Sequence, residues 1–289
     1  MATRRESLGS AISRPEGWIR AMSDPVIRKT APHNFSAYYK ANEAVFETLR
    51  GIDSETYRKY LDWMSVPVPG ASVLDVGCGV GYVANVLAAR GYAAYGVDAN
   101  HLAIDAAACA GQATFQLLDD YYLPYPDGFF DCVGSYTVIE HVGDPELFLS
   151  EQVRVLKPGG RFVVACPNFL KFVGLASHHP RTRGFVRKIA NAVQLFSKAA
   201  RYHVTGIYEF EMMQPIVRPV FEPDDDAIVV TNPVDMAAAL QNKGLRIVYA
   251  SGTDRYFSLI YEKIGETPIL RSIVGAVFVV AEKLATRDT

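Results

Sequence analysis

Leu74 to Tyr82 reads LDVGCGVGY, three glycines at alternate positions following a carboxylate. Gly77, Gly79 and Gly81 suit a tight turn in which backbone approaches a ligand closely, with Cys78 between the first two. A dinucleotide-binding turn of the G-x-G-x-x-G type needs glycine or alanine at position 82, where the helix packs on its strand beneath a pyrophosphate. Tyr82 stands there. Asp75 would repel a pyrophosphate and attract a cationic ligand bearing an ammonium group. These residues favour S-adenosylmethionine over NAD. Two further carboxylates suit that ligand: Asp98, able to accept two hydrogen bonds from ribose hydroxyls, and Asp119, placed to reach the adenine amino group. Any one of the three acids also reads as a solvated strand end or a helix cap, but three at successive strand ends do not. His141, in IEHV, has a side chain able to accept a proton from a hydroxyl nucleophile. It reads as well as a structural histidine before the next helix, and both readings stay open.

Those residues need strands that end side by side. Ser72 to Val76 is an apolar run stopped by glycines, and Tyr82 to Ala89 returns to helical spacing. Ala93 to Asp98 is a second strand, after which Asn100 caps an alanine-rich helix over His101 to Ala110. Ala113 to Asp119, Phe130 to Tyr136 and Gly160 to Ala165 read as further strands, with a helix near Pro145 to Leu156 before the last of them. Alternating strands and helices imply a parallel sheet covered on both faces. The rhythm breaks after Asn168 and resumes where Asn232 caps, Pro233 opens and Gly244 closes a helix. Leu245 to Ala250 and part of Ile273 to Ala281 complete the strands.

The runs VLDVGCGVGYVANVLAARGYAAYGVDAN and LPYPDGFFDCVGSYTVIEHVGDPELFLSEQVRVLKPGGRFVVACPN resemble the class I SAM-dependent methyltransferases, in particular the ubiquinone-biosynthesis-like small-molecule branch, also called type 11. The resemblance implies a Rossmann-like α/β fold, a doubly wound seven-stranded sheet of order 3-2-1-4-5-7-6 with the last strand antiparallel. It implies that Asp75 and the Gly77 to Gly81 turn contact the methionine moiety and that Asp98 holds the ribose. Ala99 would lie against the adenine, Asp119 and Asp120 at its edge, and Tyr136 beside the sulfonium. Tyr39, with Tyr38, would fold over the cofactor as aromatic residues do in similar enzymes, or else belong to the packing face of an ordinary amphipathic helix. Some quinone-pathway relatives carry a glutamate three residues before a Glu-His pair and bind metal there. Thr137 occupies that place here, so no metal is expected.

The organisation expected is a helical N-terminal extension over 1–65, a cofactor-binding core over 66–168, a lid insertion over 169–231 and the rest of the core over 232–289. Net charge is only -2, yet Gln152 to Tyr208 carries ten basic residues and no acidic one. Within it Phe185, Ile189, Val193 and Phe196 recur at helical spacing among basic residues, a basic amphipathic helix. A lid helix with a solvated outer face, a surface lying on anionic lipid over 181–201, and a clamp for a phosphorylated substrate all fit. Nucleic acid does not, because no aromatic residues alternate with the charges as a stacking platform. Glu222, Asp224, Asp225 and Asp226 follow as an acidic stretch suited to binding hydroxyls or to neutralising the basic helix.

Apolar residues make up 49% and charged ones 21%, an ordinary folded composition. Cys78, Cys109, Cys132 and Cys166 have no metal-like spacing and suit reduced thiols of a cytosolic protein. Neither a signal peptide nor a membrane-spanning run is evident, so the expected location is the cytoplasm, with membrane association left open. The function expected is O-methylation of a small or lipid-linked metabolite, most simply a sugar or glycolipid hydroxyl. An N- or C-methyltransferase and a SAM-binding protein without catalysis are the alternatives.

Overall fold

The computed structural model describes residues 54–118, 120–173, 179–216, 224–268, 270–272 and 275–285. The sheet has seven strands in the order β3-β2-β1-β4-β5-β7-β6. They are β1 (Ser72–Val76), β2 (Ala93–Asp98), β3 (Thr114–Leu117), β4 (Phe130–Tyr136), β5 (Leu156–Pro167), β6 (Leu245–Ser251) and β7 (Ala276–Lys283). β1 to β5 are parallel, and β7 enters antiparallel between β5 and β6. The helices are α1 (Ser54–Met64), α2 (Tyr82–Ala89), α3 (His101–Ala110), α4 (Pro145–Val155), α5 (Phe185–Thr205), α6 (Pro233–Asn242) and α7 (Leu259–Glu266).

Strand alternation divides the core in two. Val73, Cys132, Val163 and Phe278 face one side and pack with Tyr60, Leu61 and Met64 of α1 and Val83 and Leu87 of α2. Leu74, Val133, Phe162, Val164 and Val279 face the other, against Phe148 and Leu149 of α4 and Met236 and Leu240 of α6. The caps read from sequence are present: the Asn100 side chain accepts from Leu102 N, and Asn232 accepts from Val234 N and Asp235 N.

Three strand boundaries differ from expectation. β5 begins four residues early, because Leu156 pairs with Phe130 before the register shifts ahead of Cys132. β7 runs on to Lys283, because Glu282 and Lys283 find partners in Arg161 and Leu245. β3 is shorter than read, an edge strand paired on one side only.

Helix α1 lies close against the sheet because Gly134 of β4 has no side chain: a Cβ there would collide with Tyr60 Oη and Met64 Sδ. Its other anchor is Lys59, whose buried ammonium donates to Thr253 Oγ1 at 2.8 Å, Glu262 Oε2 at 2.9 Å, Thr253 O at 3.1 Å and Ser251 Oγ at 3.2 Å. Removing a buried charge from such a network costs about 3 to 5 kcal/mol, since its partners stay buried without it. Lys59→Ala is therefore expected to lower the urea midpoint sharply at unchanged m-value. A shift equivalent to less than about 1 kcal/mol would mean that water replaces the ammonium readily.

Candidate active site

The glycine turn leaves β1 with Gly77, Gly79 and Gly81 all at positive φ. A Cβ on Gly77 would run into Val138, so this position needs glycine for space as well as for conformation. Gly77 N and Cys78 N both donate to Val97 O of β2, at 2.8 and 3.0 Å. Asp98 completes the tether: Oδ2 accepts from Gly79 N and Oδ1 from Asn100 N, each at 2.8 Å. Each oxygen retains acceptor capacity for a ligand hydroxyl. Cys78 is buried, with Sγ directed to Gly79 O, and Ala99 is half-buried beside Asp98.

Asp75 is buried at the end of β1 and accepts from Tyr60 Oη at 2.9 Å. Tyr57, Tyr60, Tyr82 and Tyr136 form a chain of rings beside it, with centroids 5.2 to 5.5 Å apart. Burial pushes the Asp75 carboxyl from 3.8 up to about 7, with the Tyr60 bond opposing and Asp98 assisting. Burial also raises Asp98, against the backbone bonds that favour its charge. A carboxylate held short of water and beset by aromatic faces suits a ligand cation, which both groups attract. These residues fit S-adenosylmethionine, with a cradle for its methionine portion and acceptors for its ribose.

The second half of the site lies past β4. Thr137 (φ 52) and Asp224 (φ 66) are the two non-glycine residues at positive φ among those described, and such strain gathers at functional sites. His141 closes a 3-10 turn over Ile139–His141, its Nδ1 3.5 Å from Asp226 Oδ2 and its Nε2 3.7 Å from Glu140 Oε1. Glu140 is fully buried, and neither carboxylate oxygen has a hydrogen-bond partner among the described residues. Burial raises its carboxyl well above the ordinary range, and Asp224 and Asp226 add to the rise. Asp224 is raised chiefly by burial, opposed by His141 and Lys171 and assisted by Asp226 and Asp254. Asp254 also accepts from Tyr136 Oη at 2.8 Å, so it joins the tyrosine chain to the histidine cluster.

Because folding raises Asp75, Asp98, Glu140 and Asp224, the native state holds their protons more tightly than the unfolded chain does. Asp75 then contributes its stability fully below pH 3.8 and loses it as pH rises through about 7. The melting temperature of the ligand-free protein should fall between about pH 4 and 7, less steeply in Asp75→Asn. A profile identical in the two proteins would show that Asp75 ionises normally.

Of the residues singled out in the sequence, Asp75, Gly77, Cys78, Gly79, Gly81, Asp98, Ala99 and Tyr136 meet at the carboxyl ends of β1, β2 and β4. Asp120 is exposed and accepts from Tyr122 N within a local turn. Asp119, Tyr38, Tyr39 and Glu222 lie outside the described residues. His179 is buried, with Nδ1 accepting from Arg181 N and its ring 4.9 Å from that of Phe169. Sequence reading missed Tyr57, Tyr60, Glu140 and Asp254 and did not tie Asp226 to His141. The i, i+3 pair Tyr57 and Tyr60 was the available signal, on a stretch already read as helix.

Residues 74–164 match the family model described as a methyltransferase domain. Over those residues the chain is similar to methyltransferase domains. Over 119 residues it is 40% identical to a ubiquinone biosynthesis O-methyltransferase of Caulobacter vibrioides, covering 38% of this chain and 46% of that protein. It is likewise 40% identical over 101 residues to the chloroplastic tocopherol O-methyltransferase of Arabidopsis thaliana, covering 32% of this chain and 29% of that one. This chain thus spans less than half the length of the curated relatives it matches. The crystal structure of an S-adenosylmethionine dependent methyltransferase from Mesorhizobium loti superposes with a TM-score of 0.53 at 18% identity, covering 81% of this chain and all of that one, which establishes the common fold. The matched residues run from β1 into β5 and include the glycine turn, whereas Asp224, Asp226 and Asp254 fall beyond them.

Proposed function

We propose that the protein is an enzyme that transfers a methyl group from S-adenosylmethionine to a hydroxyl of a sugar or glycolipid-type acceptor. S-adenosylmethionine supplies, when bound, a methyl group on a positively charged sulfur. Asp75 and the tyrosine chain give that charge its counterpart, and Asp98 receives the ribose hydroxyls. The observation that carries the choice of oxygen chemistry is the contact of His141 with Asp226, 3.5 Å apart, with both side chains mostly buried. His141 takes the proton released by the acceptor hydroxyl, and Asp226 holds the imidazole ring in place. Contacts this long in a ligand-free site tighten when substrate arrives. Asp224, Asp226 and Asp254 offer several acceptors for the neighbouring hydroxyls of a polyol, which a single phenol would leave unmatched.

The names of the relatives favour a second reading, a quinol or other phenolic acceptor. The two are separated by incubating the protein with methyl-labelled S-adenosylmethionine and, in parallel, nucleotide sugars, glycolipids and substituted hydroquinones. Label in a sugar methyl ether, located by mass spectrometry, is the expected result. Label in an aryl ether would overturn the sugar reading and keep the O-methyltransferase. Label on nitrogen or carbon, or cofactor binding without transfer to any acceptor, would sink the oxygen chemistry itself.

A further inference from the structure

Helix α5 sits with its polarity reversed. The side turned to the protein holds Asn191, whose Nδ2 donates to the carbonyls of Phe169, Lys171 and Arg181 at 3.3, 3.2 and 2.7 Å. The same side holds Lys198, 2.7 Å from Asp235, and Gln194, bonded to Glu211. Leu195 is its one buried apolar anchor, among Phe169, Leu170, Met213, Ala227 and Val230. The stripe Phe185, Ile189, Val193 and Phe196, together with Val186 and Val204, points to solvent with 51 to 80% of each residue exposed. A lid helix with a polar outer face was one sequence reading, and the structure turns the apolar face outward instead. Soluble chains rarely leave so continuous an apolar strip uncovered without a partner for it.

Charge identifies the partner. Arg183 and Arg187 border the strip and make no ion pair among the described residues. Arg181, Lys198 and Arg201 are taken up by Glu211, Asp235 and Glu209, which leaves Arg183 and Arg187 beside the strip to repel a basic partner and attract an anionic one. Among the described residues no helix is long and apolar enough to cross a membrane. A helix of 21 residues is about 30 Å long and, lying flat, sinks its apolar face to the acyl boundary while basic residues meet the headgroups. We infer that α5 is an interfacial helix that docks the protein on an anionic phospholipid surface. The helix is tied to the chain after β5 through Asn191, which donates to the Lys171 carbonyl.

Cosedimentation of the full chain with vesicles of phosphatidylcholine and phosphatidylglycerol, against pure phosphatidylcholine, tests this without requiring turnover. Binding to the anionic vesicles is expected to weaken as salt is raised and to fall about ten-fold or more in Ile189→Asp with Phe196→Asp. Arg183→Glu with Arg187→Glu should lower binding to anionic vesicles and leave the neutral ones unchanged. All four positions are at or bordering the outer face, and circular dichroism and the melting temperature check that the variants fold. No binding to anionic vesicles at low salt would overturn the inference. So would a wild-type dimer in sedimentation velocity that Ile189→Asp with Phe196→Asp converts to monomer, because a second copy would then cover the strip.

Discussion

Asp98→Ala is expected to weaken the binding of S-adenosylhomocysteine by about 100-fold or more, measured by calorimetric titration with NADH as a control. Two charge-assisted hydrogen bonds from ribose hydroxyls are each worth about 1.5 to 3 kcal/mol, and alanine removes both. The carboxylate has a second duty that must be separated from the first. It accepts from Gly79 N and Asn100 N, so alanine also leaves two backbone donors without their partner and loosens the glycine turn. The melting temperature should therefore fall as well. Asp98→Asn keeps one acceptor oxygen and should sit between the two proteins in both measurements. A variant that melts lower yet binds S-adenosylhomocysteine as tightly as before would show that Asp98 is an anchor of the turn and nothing more. Tight binding of NADH instead would overturn the reading of the turn as a whole.

His141→Ala is expected to lower kcat by about 100- to 10,000-fold, the range that a positioned general base supplies. KM for the acceptor and affinity for S-adenosylhomocysteine should change little, since the ring faces the Asp226 and Glu140 carboxylates and not the glycine turn. Asp226→Asn keeps the shape and removes the charge that holds the ring, so a smaller loss in kcat is expected there. Rescue of His141→Ala by added imidazole would distinguish a lost base from a disturbed fold. An unchanged kcat would reduce His141 to a residue that packs the turn before α4.

The sequence by itself determined most of the elements and the glycine turn beside Asp75 and Asp98. Apolar strand runs, Asn100 and Asn232 as caps, and three glycines after Asp75 are local signals, written in neighbouring residues, and the structure keeps them where they were read. Their cause is local too: backbone hydrogen bonding, side-chain alternation and the left-handed φ that glycine tolerates act within a few residues. The strand order came from resemblance, since periodicity says which segments are strands and not which ones lie side by side.

Only the tertiary structure decided the rest. Tyr60 reaches Asp75 because Gly134 lets α1 settle on the sheet, a contact that needs three separate segments packed together. Tyr136 finds Asp254, 118 residues later, and His141 finds Asp226, because the strand ends and the chain after α5 converge on one edge. The orientation of α5 is the clearest case. Its apolar stripe has the spacing of a core-facing helix, but Asn191 holds three carbonyls and Lys198 holds Asp235, and those bonds turn the stripe to solvent. Periodicity gives a helix its faces; which of them meets the protein depends on the polar groups waiting there, and these are distant in the chain.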